Sequence, residues 1–295
     1  MKLNVDVSRF TYDGRGKLDF DAFVTRVDEQ LYVDEADYER QMVEYRTAID
    51  DLQNMMYAHD RYAMLIVFQA MDAAGKDGTI KHVMRGVNPH GVVVYSFKHP
   101  SKQELDHGFM WRTSKEVPER GRIGIFNRSY YEEVLVTKVH PEIVTDFQKL
   151  PEEAVDDPGK MWDRRYKAIR DHEWYLHENG TRVVKFFLHV SKDEQKRRFI
   201  DRIDKKKKNW KFSEGDIEER KYWKDYMAAY RDCIAETSTK DCPWYVVPAD
   251  DKPTMRLIVS QIVLDRLSEL DMHWPKVTDE RRAELATYRQ RLMDE

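Results

Sequence analysis

Ala63-Met64-Leu65-Ile66-Val67-Phe68, running through Gln69-Ala70-Met71 into Asp72-Ala73-Ala74-Gly75-Lys76-Asp77-Gly78-Thr79, is the stretch on which the fold turns. Its first six residues are apolar without alternation, the pattern of a central strand buried on both faces of a parallel sheet. The run then breaks into a Gly-Lys turn that leads into helix-period sequence. A turn of this kind points backbone N–H groups at an anion, and a lysine placed there neutralises phosphate. The position is that of a P-loop, although the pattern G-x-x-x-x-G-K-[ST] is incomplete. Ala70 stands where the first glycine belongs, and Asp77 replaces the hydroxyl residue. Two carboxylates, Asp72 and Asp77, would repel a polyanion unless a cation lies between them, and Mg²⁺ with oxygen ligands is the usual bridge. The competing role is local: Asp72 orders the turn and Asp77 caps the next helix.

Working outward, further strands are expected at 92–97, 122–126, 183–188 and 244–247, separated by helix-period sequence. That alternation means a parallel sheet with helices on both sides. Before the first strand, Tyr38, Met42, Tyr45, Ile49, Leu52 and Met56 recur at spacings of three and four, which predicts one amphipathic helix over 35–60. Ser191-Lys192-Asp193-Glu194 has the Ser-x-x-Glu form of a capping box, so a helix should start there and run towards Ile203. The basic run Lys205-Lys206-Lys207-Lys208-Asn209-Trp210-Lys211 lacks apolar periodicity and reads as a surface loop or short lid. Residues 150–159, with Pro151 and Pro158 among acidic residues, read as an exposed connection. The expected organisation is one α/β domain over 1–295: a helical extension over 1–60, a core over 61–252 with a lid at about 204–216, and C-terminal helices over 253–295.

A second candidate cluster, Asn127-Arg128-Ser129-Tyr130-Tyr131-Glu132-Glu133, follows the strand at 122–126, at the carboxyl end where open parallel sheets bind ligands. Arg128 can face the phosphates held by Lys76, or pair with Glu132 or Glu133 one helical turn away. Four-residue spacing puts Arg198 and Arg202 on one face of the helix that begins near Ser191. A charge run by itself is a solvated face, but beside a phosphate loop a clamping lid is the better explanation. The helix at 222–230 is rich in aromatics and belongs to the core or to a subunit contact.

Composition bounds the rest. The 295 residues carry 50 Lys+Arg against 54 Asp+Glu, a net charge of −4, with 41% hydrophobic, 35% charged and 12% aromatic residues. That is too apolar for disorder and too charged for a membrane span, and the near-neutral balance argues against general nucleic-acid coating. With no run of about 18 apolar residues and no basic-then-apolar start, a cytoplasmic protein without membrane or nucleic-acid partners is expected. Cys233 and Cys242 fit neither a zinc nor a redox spacing and read as reduced thiols.

These residues resemble the polyphosphate kinase 2 family. The likeness rests on Met71-Asp72-Ala73-Ala74-Gly75-Lys76-Asp77-Gly78, Phe109-Met110-Trp111-Arg112, Phe126-Asn127-Arg128-Ser129-Tyr130-Tyr131-Glu132, Lys208-Asn209-Trp210-Lys211 and Trp244-Tyr245-Val246-Val247-Pro248-Ala249-Asp250-Asp251-Lys252. The resemblance implies a thymidylate-kinase-like P-loop fold in three αβα layers. It also implies reversible transfer of a terminal phosphoryl group from inorganic polyphosphate to AMP or ADP, with Mg²⁺ or Mn²⁺, in a homo-oligomer. By the same resemblance Asp72 would hold metal, Lys76 would bind the transferred phosphates and Arg128 would stabilise their charge. Ala74, Gly75, Asp77, Gly78, Thr79 and Asn127 would border the phosphate or nucleotide. Arg112, Arg198, Arg202, Lys205, Lys208 and Lys211 would line a polyphosphate channel and lid. Many family members resemble Phe-Asp-Arg-Ser-Trp-Tyr-Asn where this chain has Asn127 and Glu132; the change resembles the subgroup called class III, which takes AMP to ADP and onward to ATP. Asn127 supplies no charge, so Asp77, Asn127 or Glu133 are the candidates for a second metal ligand. The readings set against this one are an ATP-dependent P-loop nucleotide kinase and a non-catalytic polyphosphate or nucleic-acid binding module.

Overall fold

In the computed structural model, which describes residues 6–295, the strands are β1 (Thr11–Tyr12), β2 (Ala63–Gln69), β3 (Val92–Ser96), β4 (Ile123–Asn127), β5 (Thr181–His189) and β6 (Trp244–Pro248). They form one sheet in the order β1-β6-β5-β2-β4-β3. Strands β2 to β6 are mutually parallel, and β1 alone runs antiparallel, against β6. All seven residues of β2 are buried, as the unalternating apolar run requires. Burying a Leu, Ile, Val or Phe side chain there contributes about 1.5–3 kcal/mol, which makes β2 the rigid base of the loop that follows it.

The helices are α1 (Glu35–His59), α2 (Lys76–Val83), α3 (Lys102–Leu105), α4 (Trp111–Ser114), α5 (Glu132–Val139), α6 (Glu152–Val155), α7 (Pro158–Glu178), α8 (Lys192–Asp204), α9 (Glu214–Glu219), α10 (Trp223–Thr237), α11 (Lys252–Ser268) and α12 (Asp279–Met293). One layer packs α1, α2 and α11 together, and the other packs α5, α7 and α10. Helix α1 starts where the Asp34 side chain accepts from the Asp37 N–H and stops at Asp60, whose left-handed backbone ends the ladder. Its stripe of Tyr38, Met42, Tyr45, Ile49 and Met56 is buried, as the spacing requires. Ser191 caps α8 by accepting from the Glu194 N–H, so the helix starts where expected, but the box is not closed: the Ser191 N–H donates to Asp250 Oδ1 and the Glu194 carboxylate is held by Arg197 and Arg198.

Three expectations differ from the structure. The N-terminal extension is helical only from Glu35; before it lie two short 3-10 turns and β1, which is too short to show a period. The lysine run is not an irregular loop, because Lys206–Lys211 form a 3-10 helix and α9 follows. Residues 150–159 contain α6 and the start of α7, with Pro158 tolerated in the first helical turn, where no N–H partner is needed.

Adjacent strands β2 and β4 send their chains to opposite layers, β2 into α2 and β4 into α5. A crevice therefore opens above their carboxyl ends, the position at which such sheets bind ligands.

Candidate active site

The loop after β2 enters α2 through Gly75, whose φ of 118° lies in the left-handed region. A Cβ there would meet the Met255 Cε at 3.3 Å, so both the backbone and the space favour glycine. Ala73 and Arg128 carry positive φ without being glycine (62° and 65°), so each of the two loops that face each other holds a strained residue. The Lys76 Nζ donates to the Ala70 carbonyl at 2.7 Å, beneath the loop. Burial pushes its pKa below the ordinary lysine value while Asp72 pulls the other way, and an arriving anion would further favour the charged form.

Sheet register sets the partner loop. Asn127 pairs with Phe68, and the Arg128 N–H donates to the Phe68 carbonyl at 3.0 Å, which carries Arg128 directly beside the phosphate loop. Its guanidinium lies 3.2 Å from Asp72 Oδ1 and not on Glu132 or Glu133. Burial opposes its charge, but Glu132 and Asp72 outweigh burial and raise its pKa. Behind this turn Tyr130 and Tyr131 both donate to Glu173, at 2.8 and 2.7 Å, and Glu173 is paired with the wholly buried Lys185 at 2.6 Å. The strained turn is thus pinned from the core side.

Two cavities open from this junction. The first, about 880 Å³, is lined by nine cationic side chains against four aspartates. Lys76, Arg128, Arg202, Lys208 and Lys211 are among its walls, as are Ala74, Gly75, Asp77, Gly78 and Asn127. The second, about 590 Å³, mixes apolar and polar walls: Met71, Leu135, Phe147, Tyr226 and Tyr230 with Glu132, His140 and Arg220. Asp72, Arg128 and Asp216 line both. Asp216 comes from α9, and burial together with Asp72 raises its pKa.

Several expected site residues are placed differently. Arg198 lines the cationic cavity, but all five of its N–H groups are taken: by Glu194, by the carbonyls of Ala73 and Ala74, and by those of Ala249 and Asp250. It clamps the phosphate loop and has no donor left for polyphosphate. Arg112 is buried between the Lys98 carbonyl and Glu133, away from both cavities. Glu133 is itself enclosed by Arg112, Arg165 and Gln148, so it cannot reach a metal beside the phosphates. Thr79 is buried with its hydroxyl turned to the Gly75 carbonyl at 3.1 Å. Lys205 points outward and pairs with Asp201 at 2.8 Å. Asp77 is no helix cap; its Oδ1 accepts from the Asn127 Nδ2 at 2.6 Å.

Sequence reading passed over Lys98 and Arg256 and gave no role to Lys252, and these three complete the cationic wall. Lys252 and Arg256 open α11 after β6, so the rule that ligands lie at strand carboxyl ends would have pointed to them. Burial, together with Arg198 and Lys208, pushes the Lys252 amine down to about 8. Of the aromatic helix, Tyr226 and Tyr230 are buried and line the second cavity, whereas Tyr222 is exposed.

Among the described residues no group of three or more acidic, His or Cys side chains forms a ready metal cage. Mg²⁺ does not need one, since it is held by one or two carboxylates plus substrate phosphates and water. Asp72 and Asp77, flanking Lys76 on the wall of the cationic cavity, offer that donor set.

A strained phosphate loop, an arginine facing it across a parallel sheet and a cationic cavity define a phosphoryl-transfer enzyme of the P-loop kinase type. Residues 32–275 match the family model of polyphosphate kinase 2, and the chain belongs to that family. It is 51% identical over 295 residues to the ADP-polyphosphate phosphotransferase of Rhodopseudomonas palustris, covering 99% of this chain and 100% of that one. It is 44% identical to the AMP/ADP-polyphosphate phosphotransferase of Meiothermus ruber over 77% of this chain and 80% of that one. The crystal structure of polyphosphate kinase 2 from Arthrobacter aurescens superposes with a TM-score of 0.87 at 36% identity, covering 98% of this chain and 99% of that one.

Proposed function

We propose that this chain transfers the terminal phosphoryl group of inorganic polyphosphate to AMP and then to ADP, making ADP and ATP. The observation that carries this reading is the pair of dissimilar cavities meeting at Asp72 and Arg128. A long polyanion suits the cationic cavity, where Lys76, Arg202, Lys208, Lys211, Lys252 and Arg256 neutralise successive phosphates. A nucleotide suits the other, with an apolar and aromatic wall for the base and polar groups nearby.

In this reading Lys76 and the N–H groups of Ala74 to Gly78 hold the transferred phosphoryl, and Arg128 stabilises the charge spread over its oxygens. Asp72 and Asp77 would hold Mg²⁺ or Mn²⁺, and Asn127 orients Asp77 through its Nδ2. A divalent cation bound there would supply charge neutralisation between phosphate oxygens. The terminal oxygen of AMP or ADP is already anionic, so no strong general base is required, and the chain's task is alignment of two polyanions. Glu132, at the start of α5 and on the nucleotide side, tunes the fit of the shorter acceptor.

A second reading, ADP as the sole acceptor, has its support in the name of the Rhodopseudomonas palustris relative. The two separate in one assay: purified protein, Mg²⁺, polyphosphate and either AMP or ADP, with luminescent detection of ATP. ATP from both acceptors is expected; ATP from ADP alone would favour the second reading, and none from either would overturn both.

We also place the enzyme in the cytoplasm with its adenine nucleotides, as a homo-oligomer. Support for assembly is α12, where Leu285, Tyr288 and Leu292 are exposed on this chain. Sedimentation should give a mass above 35.3 kDa.

A further inference from the structure

Gln69 is the last residue of β2, the strand that carries the phosphate loop, and it is completely buried. Its Nε2 donates to Glu132 Oε1 at 2.8 Å. Its own Oε1 is also buried and has no hydrogen-bond partner among the described residues. The amide cannot be turned the other way, because two acceptor oxygens would then face each other. A buried carbonyl oxygen without a partner is destabilising, and an apolar side chain of similar length would occupy the position without that penalty. What a glutamine supplies here and an apolar residue does not is one N–H aimed at the Glu132 carboxylate.

We infer that Gln69 is a positioning residue that fixes the Glu132 carboxylate on the wall of the nucleotide cavity and thereby sets the relative use of AMP and ADP. The inference rests on the proposed acceptor role of Glu132. The backbone around Gln69 is well suited to this task. Gln69 is paired with Phe187 in β5, and the carbonyl of the next residue, Ala70, receives the Lys76 Nζ. One strand end thus anchors the lysine of the donor side and the carboxylate of the acceptor side. A carboxylate at the start of α5 has rotamer freedom towards the open cavity, and the rigid sheet removes it through this single bond. A shorter acceptor depends more on that fixed carboxylate, because its phosphate must be brought further towards the junction at Arg128.

The test compares Gln69→Met, Glu132→Gln and the double variant, measuring kcat/KM for AMP and for ADP at saturating polyphosphate, with thermal melts of each. Gln69→Met removes the directed donor and the unpartnered oxygen at nearly constant length. Its melt should stay level or rise, while the AMP-to-ADP ratio of kcat/KM falls about tenfold, the worth of one hydrogen bond to a charged group. The KM for polyphosphate should not move. The double variant should lose no more than Glu132→Gln alone, since the two side chains act as one unit. A second variant, Gln69→Glu, places a carboxylate against Glu132 and should shift the ratio in the same direction. If Glu132→Gln shifts the ratio and both Gln69 variants leave it unchanged, the inference is wrong while the reading of Glu132 stands. A lower melt with equal losses for both acceptors would reduce Gln69 to a packing residue and overturn the inference. If Glu132→Gln itself leaves the ratio unchanged, the acceptor role of Glu132 falls and the inference falls with it.

Discussion

The two cavities that meet at Asp72 and Arg128 differ in almost every respect. The larger is walled by lysines and arginines drawn from the phosphate loop, α8, the lysine run and α11, so it can recognise charge at a regular spacing with little regard for shape. The smaller has an apolar and aromatic wall interrupted by a few polar groups, so it can recognise a defined small molecule. On the proposed assignment of donor to the larger and acceptor to the smaller, the difference teaches that the two are selected by separate physics. Substitutions should therefore split cleanly into those that change polyphosphate dependence, those that change acceptor dependence, and those at the junction that change both.

The largest effects belong to the junction. Lys76→Ala should cut turnover by about a thousandfold or more with either acceptor, the scale of losing a group aimed at transition-state charge, with an unchanged melt. Retained activity would remove the phosphate loop from the chemistry. Next in size is the acceptor side: Glu132→Asn should alter the AMP-to-ADP ratio without changing the KM for polyphosphate, and steady-state kinetics with unchanged relative rates would break the split. On the donor side, Lys208→Ala should raise the KM for polyphosphate several-fold and flatten its salt dependence while leaving the KM for AMP alone. A matching rise in the KM for AMP would show that the cavities are not independent.

A smaller effect follows pH. Burial and the neighbouring Arg198 and Lys208 hold the Lys252 amine down at about 8 in the free enzyme. The amine is charged below that value and neutral above it, so affinity for polyphosphate should fall as pH rises through about 8. Lys252→Arg, which stays charged across this range, should flatten that fall in a binding titration; an unaltered profile would take Lys252 off the polyphosphate path. Smallest of all, Lys205→Ala should lie within error, because Lys205 faces outward onto Asp201 and lines neither cavity.

How far the letters foretold this site depends on what each residue needs in order to act. The Gly75-Lys76 turn was legible because strand, turn and helix are consecutive in the chain and the chemistry resides in the backbone itself. Arg128 was legible in place, since strand carboxyl ends bind ligands, although its partner Asp72 emerges only from the register of β4 on β2. The roles of Arg112, Arg198 and Glu133 were not legible, because burial is a property of distant contacts. Glu133 meets Arg112 and Arg165 from two other segments of the chain, and Arg198 finds carbonyls at both Ala73 and Ala249. Thr79, which the resemblance set beside the phosphate, has its hydroxyl turned by helical geometry back onto the Gly75 carbonyl. Strand β1, at two residues, is shorter than any period that could announce it.

The central claim is that a phosphoryl group passes directly from polyphosphate in the cationic cavity to a nucleotide in the other. The most direct measurement supplies radiolabelled polyphosphate, unlabelled AMP and Mg²⁺, with no nucleoside triphosphate, and follows the label by chromatography. Label entering ADP first and ATP later is the expected result. Label that enters neither nucleotide, or enters only once ATP has been added, would contradict it.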